Sequence, residues 1–377
     1  MKSDICIVVI GYNREKSLKR CLDRLNECFF KQKVDLYISI DNSIENKKTT
    51  SIANNFIWKN GTKYTLLHQK RLGLKHHILS CGDIVNKNGY NGIIMLEDDI
   101  YVANDFFNYV SQCLDKYDKC ESIAGISLYK HDWNINSKLP FQPIYEGADV
   151  FFLQYAQSWG QAWSKRMWNE FKNWYIENDT WDKNCNYLPY NVCNWPENSW
   201  LKYCIKYCTI KQKFFVYPFN SLSTNFSDVG EHNLIKCNSM QRMLSHAKNK
   251  KYKLIEIEES QSVYDCFFEN IYLKTYLQKK NITINLYGKK LSHERYILTT
   301  KTLKYKILKE FALDLKPMEL NVMYDIEGTG IFLYDTTINS KKSGNENLID
   351  YFWFDFDIKD SLKLLMRKII NKILNSI

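Results

Sequence analysis

The chain has 377 residues, 45% of them apolar and 25% charged, and a formal net charge of +10. That length and composition describe a globular protein with room for one large domain and a smaller module, and they exclude a disordered or fibrous chain. The basic residues are spread out with no Arg-rich run, which points away from nucleic acid and toward anionic small molecules or a membrane surface.

The 26 Tyr, 20 Phe and 10 Trp exceed what a core needs. Such rings suit sugar faces and interfaces, although a genome-wide bias toward Lys, Asn and Ile produces similar enrichment. Twelve cysteines include no Cys-x-x-Cys pair, so buried free thiols in a reducing cytosol are expected. The start of the chain reads as a strand with no signal-peptide core, and no apolar run reaches the ~20 residues needed to span a bilayer. The expected location is the cytoplasm, in solution or peripheral at the inner membrane face.

In chain order, Ile5–Ile10 is an unbroken apolar run that ends at Gly11-Tyr12-Asn13-Arg14, and Ser17 to Cys28 has helical apolar spacing. This predicts strand, glycine turn and helix. A second strand, Leu36–Ile40, ends at Asp41-Asn42-Ser43. Polar residues at both strand ends are placed to grip a nucleotide. Neither a Gly-x-Gly-x-x-Gly nor a phosphate loop of the Gly-x-x-x-x-Gly-Lys type occurs. A short strand at 64–67 precedes Arg71 and Lys75, which are candidates for an anionic ligand, and a helix to about Val85.

Gly92-Ile93-Ile94-Met95-Leu96-Glu97-Asp98-Asp99 is the centre of the reading. A strand buried on both faces that ends in three acids puts negative charge at the carboxyl edge of a sheet, where open α/β sheets bind ligands. Such acids raise each other's pKa unless a hard divalent cation joins them with phosphate oxygens. A solvated acidic strand end fits the triplet alone equally well. Next come a helix over 106–114 capped by Asn104 and a strand over 123–128, and the alternation predicts a doubly wound α/β sheet.

Leu96 to Tyr109, with Lys75-His76-His77 and Gly82 upstream, resembles the metal-binding stretch of the N-acetylglucosaminyltransferase I family. These are GT-A glycosyltransferases with a Glu-Asp-Asp signature, and bacterial family-2-like sugar transferases are similar. The resemblance runs loosely over residues 5–235 and well over 71–130. It implies a Rossmann-like, mostly parallel GT-A sheet, a UDP-sugar donor and Mn²⁺. It also implies Asp99 as the direct metal ligand, Glu97 and Asp98 toward ribose and sugar, His76 at the base, and Tyr12, Arg14 and Asp41 around the UDP.

Gln157 to Trp163 sets Trp159 and Trp163 around Gly160, either as a donor wall for a pyranose or as core at a strand–helix junction. An inverting transferase needs a carboxylate to deprotonate the acceptor hydroxyl. Glu197, just before a helix over 199–207, is the candidate, with Asp182 and Asp228 as alternatives. In the family an acidic pair precedes the comparable tryptophan, whereas Asn198 and Ser199 stand there in this chain. His232, after a strand over 214–218, matches a family turn that closes over donor and metal.

The resemblance stops near residue 240. Residues 245–260 read as a linker, and strands at 282–286 and 331–334 flank a predicted helix over 302–311. The expected organisation is a GT-A domain over 1–240, an α+β module over 241–357 for acceptor recognition or oligomerisation, and a basic amphipathic helix over 358–377. That helix suits an anionic membrane surface, a partner subunit, or its own core. The expected function is an inverting, metal-dependent transferase that moves a sugar from UDP to a saccharide or lipid-linked saccharide acceptor. The alternatives are a nucleotidyltransferase and a non-catalytic carbohydrate-binding scaffold.

Overall fold

A computed structural model describes residues 2–182, 185–229, 240–291, 293–340 and 348–352, together with Leu362, Met366 and Ile369. They fall into two compact units, Met1–Lys130 with Tyr145–Cys266 and His131–Ile144 with Phe267–Ile377.

The chain opens with β1 (Ile5–Gly11), α1 (Glu15–Glu27), β2 (Leu36–Ile40), α2 (Lys47–Asn55) and β3 (Lys63–Leu67). It continues through α3 (Gly73–Gly82), β4 (Gly92–Glu97), β5 (Ile100–Val102), α4 (Phe106–Tyr117) and β6 (Ile123–Ser127). The two-residue strands β7 (Trp133–Asn134) and β8 (Leu139–Pro140) belong to the second unit. The first unit resumes with β9 (Val150–Leu153), β10 (Gln161–Ser164), α5 (Lys165–Glu177), α6 (Tyr190–Cys193) and α7 (Trp200–Ile210). It closes with β11 (Phe214–Pro218), β12 (Ser223–Asn225) and β13 (Val263–Tyr264).

The first unit is a mixed α/β structure around a nine-stranded sheet of order β13-β9-β11-β6-β10-β4-β1-β2-β3. Strands β1 to β4 are mutually parallel, and β6 and β11 run the same way. β10 is inserted antiparallel between β4 and β6, while β9 and β13 run opposite to β11. The all-apolar runs of β1 and β4 are buried along nearly their whole length, as strands covered on both faces must be. After β3 the chain returns to the other side of β1, so a topological switch point lies at the carboxyl ends of β1 and β4.

Three local expectations are corrected. Asp105, not Asn104, is the residue at the start of α4. Its carboxylate accepts from the backbone N–H of Asn249 and Lys250 and from the Tyr252 hydroxyl. These bonds, with Asp149 accepting from Lys250 Nζ and Lys253 N–H, fasten the charged 245–260 stretch to the first unit, so that unit runs on to Cys266 rather than stopping near 240. Cys185 and Cys193 are disulfide-bonded around α6, whereas the other cysteines among the described residues are free and mostly buried.

The second unit adds α8 (Leu273–Leu277), β14 (Ile282–Asn285), β15 (Tyr296–Thr299), β16 (Tyr305–Phe311), α9 (Glu319–Met323), β17 (Ile331–Asn339) and α10 (Leu348–Tyr351). Its sheet order is β14-β15-β17-β16. The predicted helix over 302–311 is the edge strand β16, paired antiparallel with β17. Leu303, Tyr305 and Ile307 pack on Ile297, Phe332 and Tyr334, which is the every-second-residue pattern of a strand. Most of the tail helix expected over 358–377 lies outside the described residues. Within it, Leu362, Met366 and Ile369 are helical and exposed. Among the described residues no helix is long and apolar enough to cross a membrane.

Candidate active site

Because β1, β2 and β4 are parallel, the residues just beyond each meet at one edge of the sheet. Ile10 pairs with Glu97, and Gly11 with Ile40. A cleft of about 340 Å³ opens there, lined among others by Tyr12, Arg14, Asp41, His77, Asp99 and Trp159. Glu97, Asp98 and Arg71 also line it.

Arg14 is the last residue before α1. Its guanidinium spans two acids: Nη1 donates to Asp99 Oδ2 at 2.8 Å, and the other terminal nitrogen donates to Asp98 Oδ1. Asp98 and Asp99 are buried. Burial lifts Asp98 to about 6 against the pull of Arg14, and burial together with Asp99 lifts Glu97 to about 8. Pairing β12 with β5 sets Asn225 opposite Ile100, which places its Nδ2 3.5 Å from Asp99 Oδ1. The Phe226 N–H also donates to the Asp99 carbonyl at 3.1 Å.

Asp41 is buried at the end of β2, and its carboxylate accepts from the N–H groups of Asn42 and Leu72 at 2.8 Å and of Gly73 at 2.9 Å. Gly73 has φ +72°, a left-handed conformation that favours glycine. The turn into α3 is thereby tied to β2 and walls one side of the cleft. Behind it, Ser39 Oγ lies 2.7 Å from His77 Nε2 and 3.1 Å from His68 Nε2. Burial pushes His77 down to about 4, so it is neutral at pH 7. The Arg71 guanidinium sits 5.1 Å from the centre of the Tyr12 ring.

On the opposite wall, Gln157 Oε1 accepts from Trp159 N–H at 2.9 Å, and Ser223 Oγ donates to the Trp159 carbonyl. The Trp159 ring meets Tyr129 edge-on at 4.8 Å. Trp163 is fully buried against Trp168, Phe171 and Phe215. Of the two tryptophans, Trp159 lines the cleft and Trp163 is core.

The structure therefore brings together Tyr12, Arg14, Asp41, Arg71, Glu97, Asp98, Asp99 and Trp159. His76 is exposed, and its neighbour His77 lines the cleft instead, because the buried face of α3 runs through His77, Ile78 and Cys81. Lys75 lies off the lining, with Nζ 3.2 Å from the Glu197 carbonyl. Glu197 and Asp182 are exposed and do not line the cleft. Asp228 accepts from Ser17 Oγ at 2.8 Å and from Arg20. His232 lies outside the described residues. Asn225 and Ser227, in the turn after the 214–218 strand that the resemblance expected to close over the site, line the cleft, and so does Met240, which had no forecast from sequence. They reach it through tertiary pairing, which leaves no local pattern.

Among the described residues no group of three His, Cys, Asp or Glu side chains forms a ready metal cage. The acid cluster still fits a hard divalent ion. Its donors are carboxylate oxygens, the class such ions take, and Asp98 and Asp99 share the single guanidinium of Arg14 with Glu97 beside them.

No protein-family model matches the chain, nor does any curated protein. Among solved structures, it is similar to S. aureus TarS 1-349 in complex with UDP-GlcNAc, at 12% identity over 62% of this chain and 60% of that one, with a TM-score of 0.40. TarS 1-349 without ligand gives 11% identity over 60% and 61% of the two chains, with a TM-score of 0.38. A mannosyltransferase from Pyrobaculum calidifontis, in complex with GDP-Man and Mn²⁺, gives 11% over 45% and 47%, with a TM-score of 0.33. The matched part is thus about three fifths of each TarS chain.

Proposed function

We propose that this chain is a metal-dependent, inverting glycosyltransferase that moves a sugar from a UDP-sugar to a hydroxyl of a saccharide or lipid-linked saccharide in bacterial surface-polysaccharide synthesis. The observation that carries the reading is the meeting of Arg14, Asp41 and the Glu97-Asp98-Asp99 acids in one cleft at the switch point of the sheet. Asp41 holds the α3 turn in place and so shapes the wall against which base and ribose would lie. Arg14 and Arg71 supply positive charge for a diphosphate, and Trp159 offers a ring face to the sugar. Mn²⁺ or Mg²⁺ would be held by Asp99 with Asp98 and Glu97 beside it, and it would supply charge neutralisation for the departing diphosphate. Glu197 is the proposed base for the acceptor hydroxyl, with Asp182 as the alternative. Asp228 suits that task less well, since Ser17 and Arg20 already take its carboxylate.

A second reading is a carbohydrate-binding protein without turnover. It is favoured by the exposure of Glu197 and Asp182 outside the cleft lining.

Calorimetric titration of UDP with Mn²⁺ and with EDTA, repeated on Asp99→Ala, tests the first reading. Metal-dependent binding that disappears in the variant is expected, and no UDP binding under either condition sinks the proposal. Release of UDP from a bound UDP-sugar, lost in Glu197→Gln while binding persists, separates transferase from binding protein.

A further inference from the structure

Arg14 bridges the two acids that a divalent ion would need. One terminal nitrogen is committed to Asp98 Oδ1 and the other to Asp99 Oδ2, so both prongs of the fork are spent on different carboxylates. An ion coordinated to Asp99 Oδ2 would stand no more than about 5 Å from the nitrogen on the same oxygen, counting ~2.1 Å for the metal–oxygen bond. Like charges that close, in a site walled by buried residues, repel strongly. The other oxygen of Asp99 lies near an amide donor, Asn225 Nδ2, which a bound cation would also oppose. Among the described residues the ion pairs of the Arg14 side chain run to these two acids, and the side chain is 22% exposed and lines the cleft.

We propose that Arg14 is a built-in occupant of the cation position. Metal and guanidinium compete for Asp98 and Asp99, and metal entry turns the guanidinium out toward the diphosphate. This rests on the donor-site reading above and adds a coupling to it. Nucleotide and metal then bind synergistically, because the diphosphate gives the displaced guanidinium a new anionic partner of the bidentate kind it prefers. With no nucleotide present, the metal must break two charge-assisted hydrogen bonds and receives no such compensation.

The test is Mn²⁺ binding to the full chain, read from the electron paramagnetic resonance of free Mn²⁺, with and without UDP. Wild type is expected to bind Mn²⁺ weakly alone and at least tenfold more tightly with saturating UDP. Arg14→Ala is expected to bind Mn²⁺ alone about tenfold more tightly than wild type and to lose most of the UDP-induced gain. Arg14→Lys, which keeps the charge but lacks the planar fork that gives each carboxylate its own nitrogen, is expected to fall between the two and keeps the test usable if the alanine variant does not fold. Equal or weaker Mn²⁺ affinity in both folded variants overturns the proposal, and so does the absence of Mn²⁺ binding in every protein. UDP binding to the wild type, measured by calorimetry with saturating Mn²⁺ and with EDTA, is scored separately: UDP bound in at least one condition with no Arg14 effect on Mn²⁺ affinity is a failure of the coupling alone, whereas no UDP binding in either is a failure of the UDP-donor reading.

Discussion

Gly160 illustrates how much a single position carries. Its φ is +94°, and an added Cβ would lie 3.0 Å from Ser223 Oγ and 3.1 Å from Leu128 Cβ. Gly160→Ala is therefore expected to cost about 1–3 kcal/mol of stability, from backbone strain and overpacking together. It should also weaken UDP-sugar binding by displacing Trp159, and thermal unfolding alongside calorimetry checks both effects. At this scale the sequence marked the residues that end apolar strands, Arg14, Asp41 and the three acids, because a polar residue after a buried run must lie at a sheet edge. It did not separate His76 from His77. The two are adjacent, and which one faces inward depends on the phase of α3 against β2, fixed by the bond of His77 to Ser39. Asp41 shows a further limit: its type suggested ligand contact, while its carboxylate is engaged by three backbone amides.

Among the elements, strands with unbroken apolar runs were legible almost to the residue, as in Leu36–Ile40 and Phe214–Pro218. β16 was not, because Leu303, Ile307 and Phe311 satisfy a helical period while Leu303, Tyr305 and Ile307 satisfy a strand period. Pairing with β17 decided the matter. The same module holds a testable oddity. Glu319, the first residue of α9, is buried, and its Oε2 has no hydrogen-bond partner among the described residues. Burial pushes its carboxyl up to about 7 from the usual 4.5. The folded value lies above the unfolded one, so ionisation opposes folding. Stability is expected to rise as pH falls from above 7 toward 4.5, by up to about 3 kcal/mol from this group. Glu319→Gln should flatten that dependence in denaturant titrations run at pH 5 and pH 8. A wild-type slope that the variant reproduces would show that Glu319 is not its source.

For the molecule as a whole, the surplus of positive charge and the exposed Leu362, Met366 and Ile369 belong to one prediction. These three residues stand at four- and three-residue intervals, one face of a helix, within a sequence that also carries Lys359, Lys363, Arg367, Lys368 and Lys372. Sedimentation with phosphatidylglycerol vesicles is expected, weakened by salt and lost when all three apolar residues become Ser, with little sedimentation on phosphatidylcholine. Equal binding by the triple variant would assign any attraction to charge alone. At this scale the sequence conveyed the layered α/β plan and the acid edge. It did not convey that residues 131–144 join the second unit, since nothing local marks that excursion. The antiparallel β10 has a consequence for engineering. A strand running against its neighbours meets the acid edge at its beginning, so Trp159, just ahead of it, reaches the cleft from a segment whose residues Gln154 to Gln157 are buried, while Ser164 caps α5 from the far end. If the proposed donor site is correct, exchanging the Trp159 side chain alone should alter which sugar is preferred and leave the buried approach and the β10–α5 junction untouched, which makes that one position the place to graft new specificity.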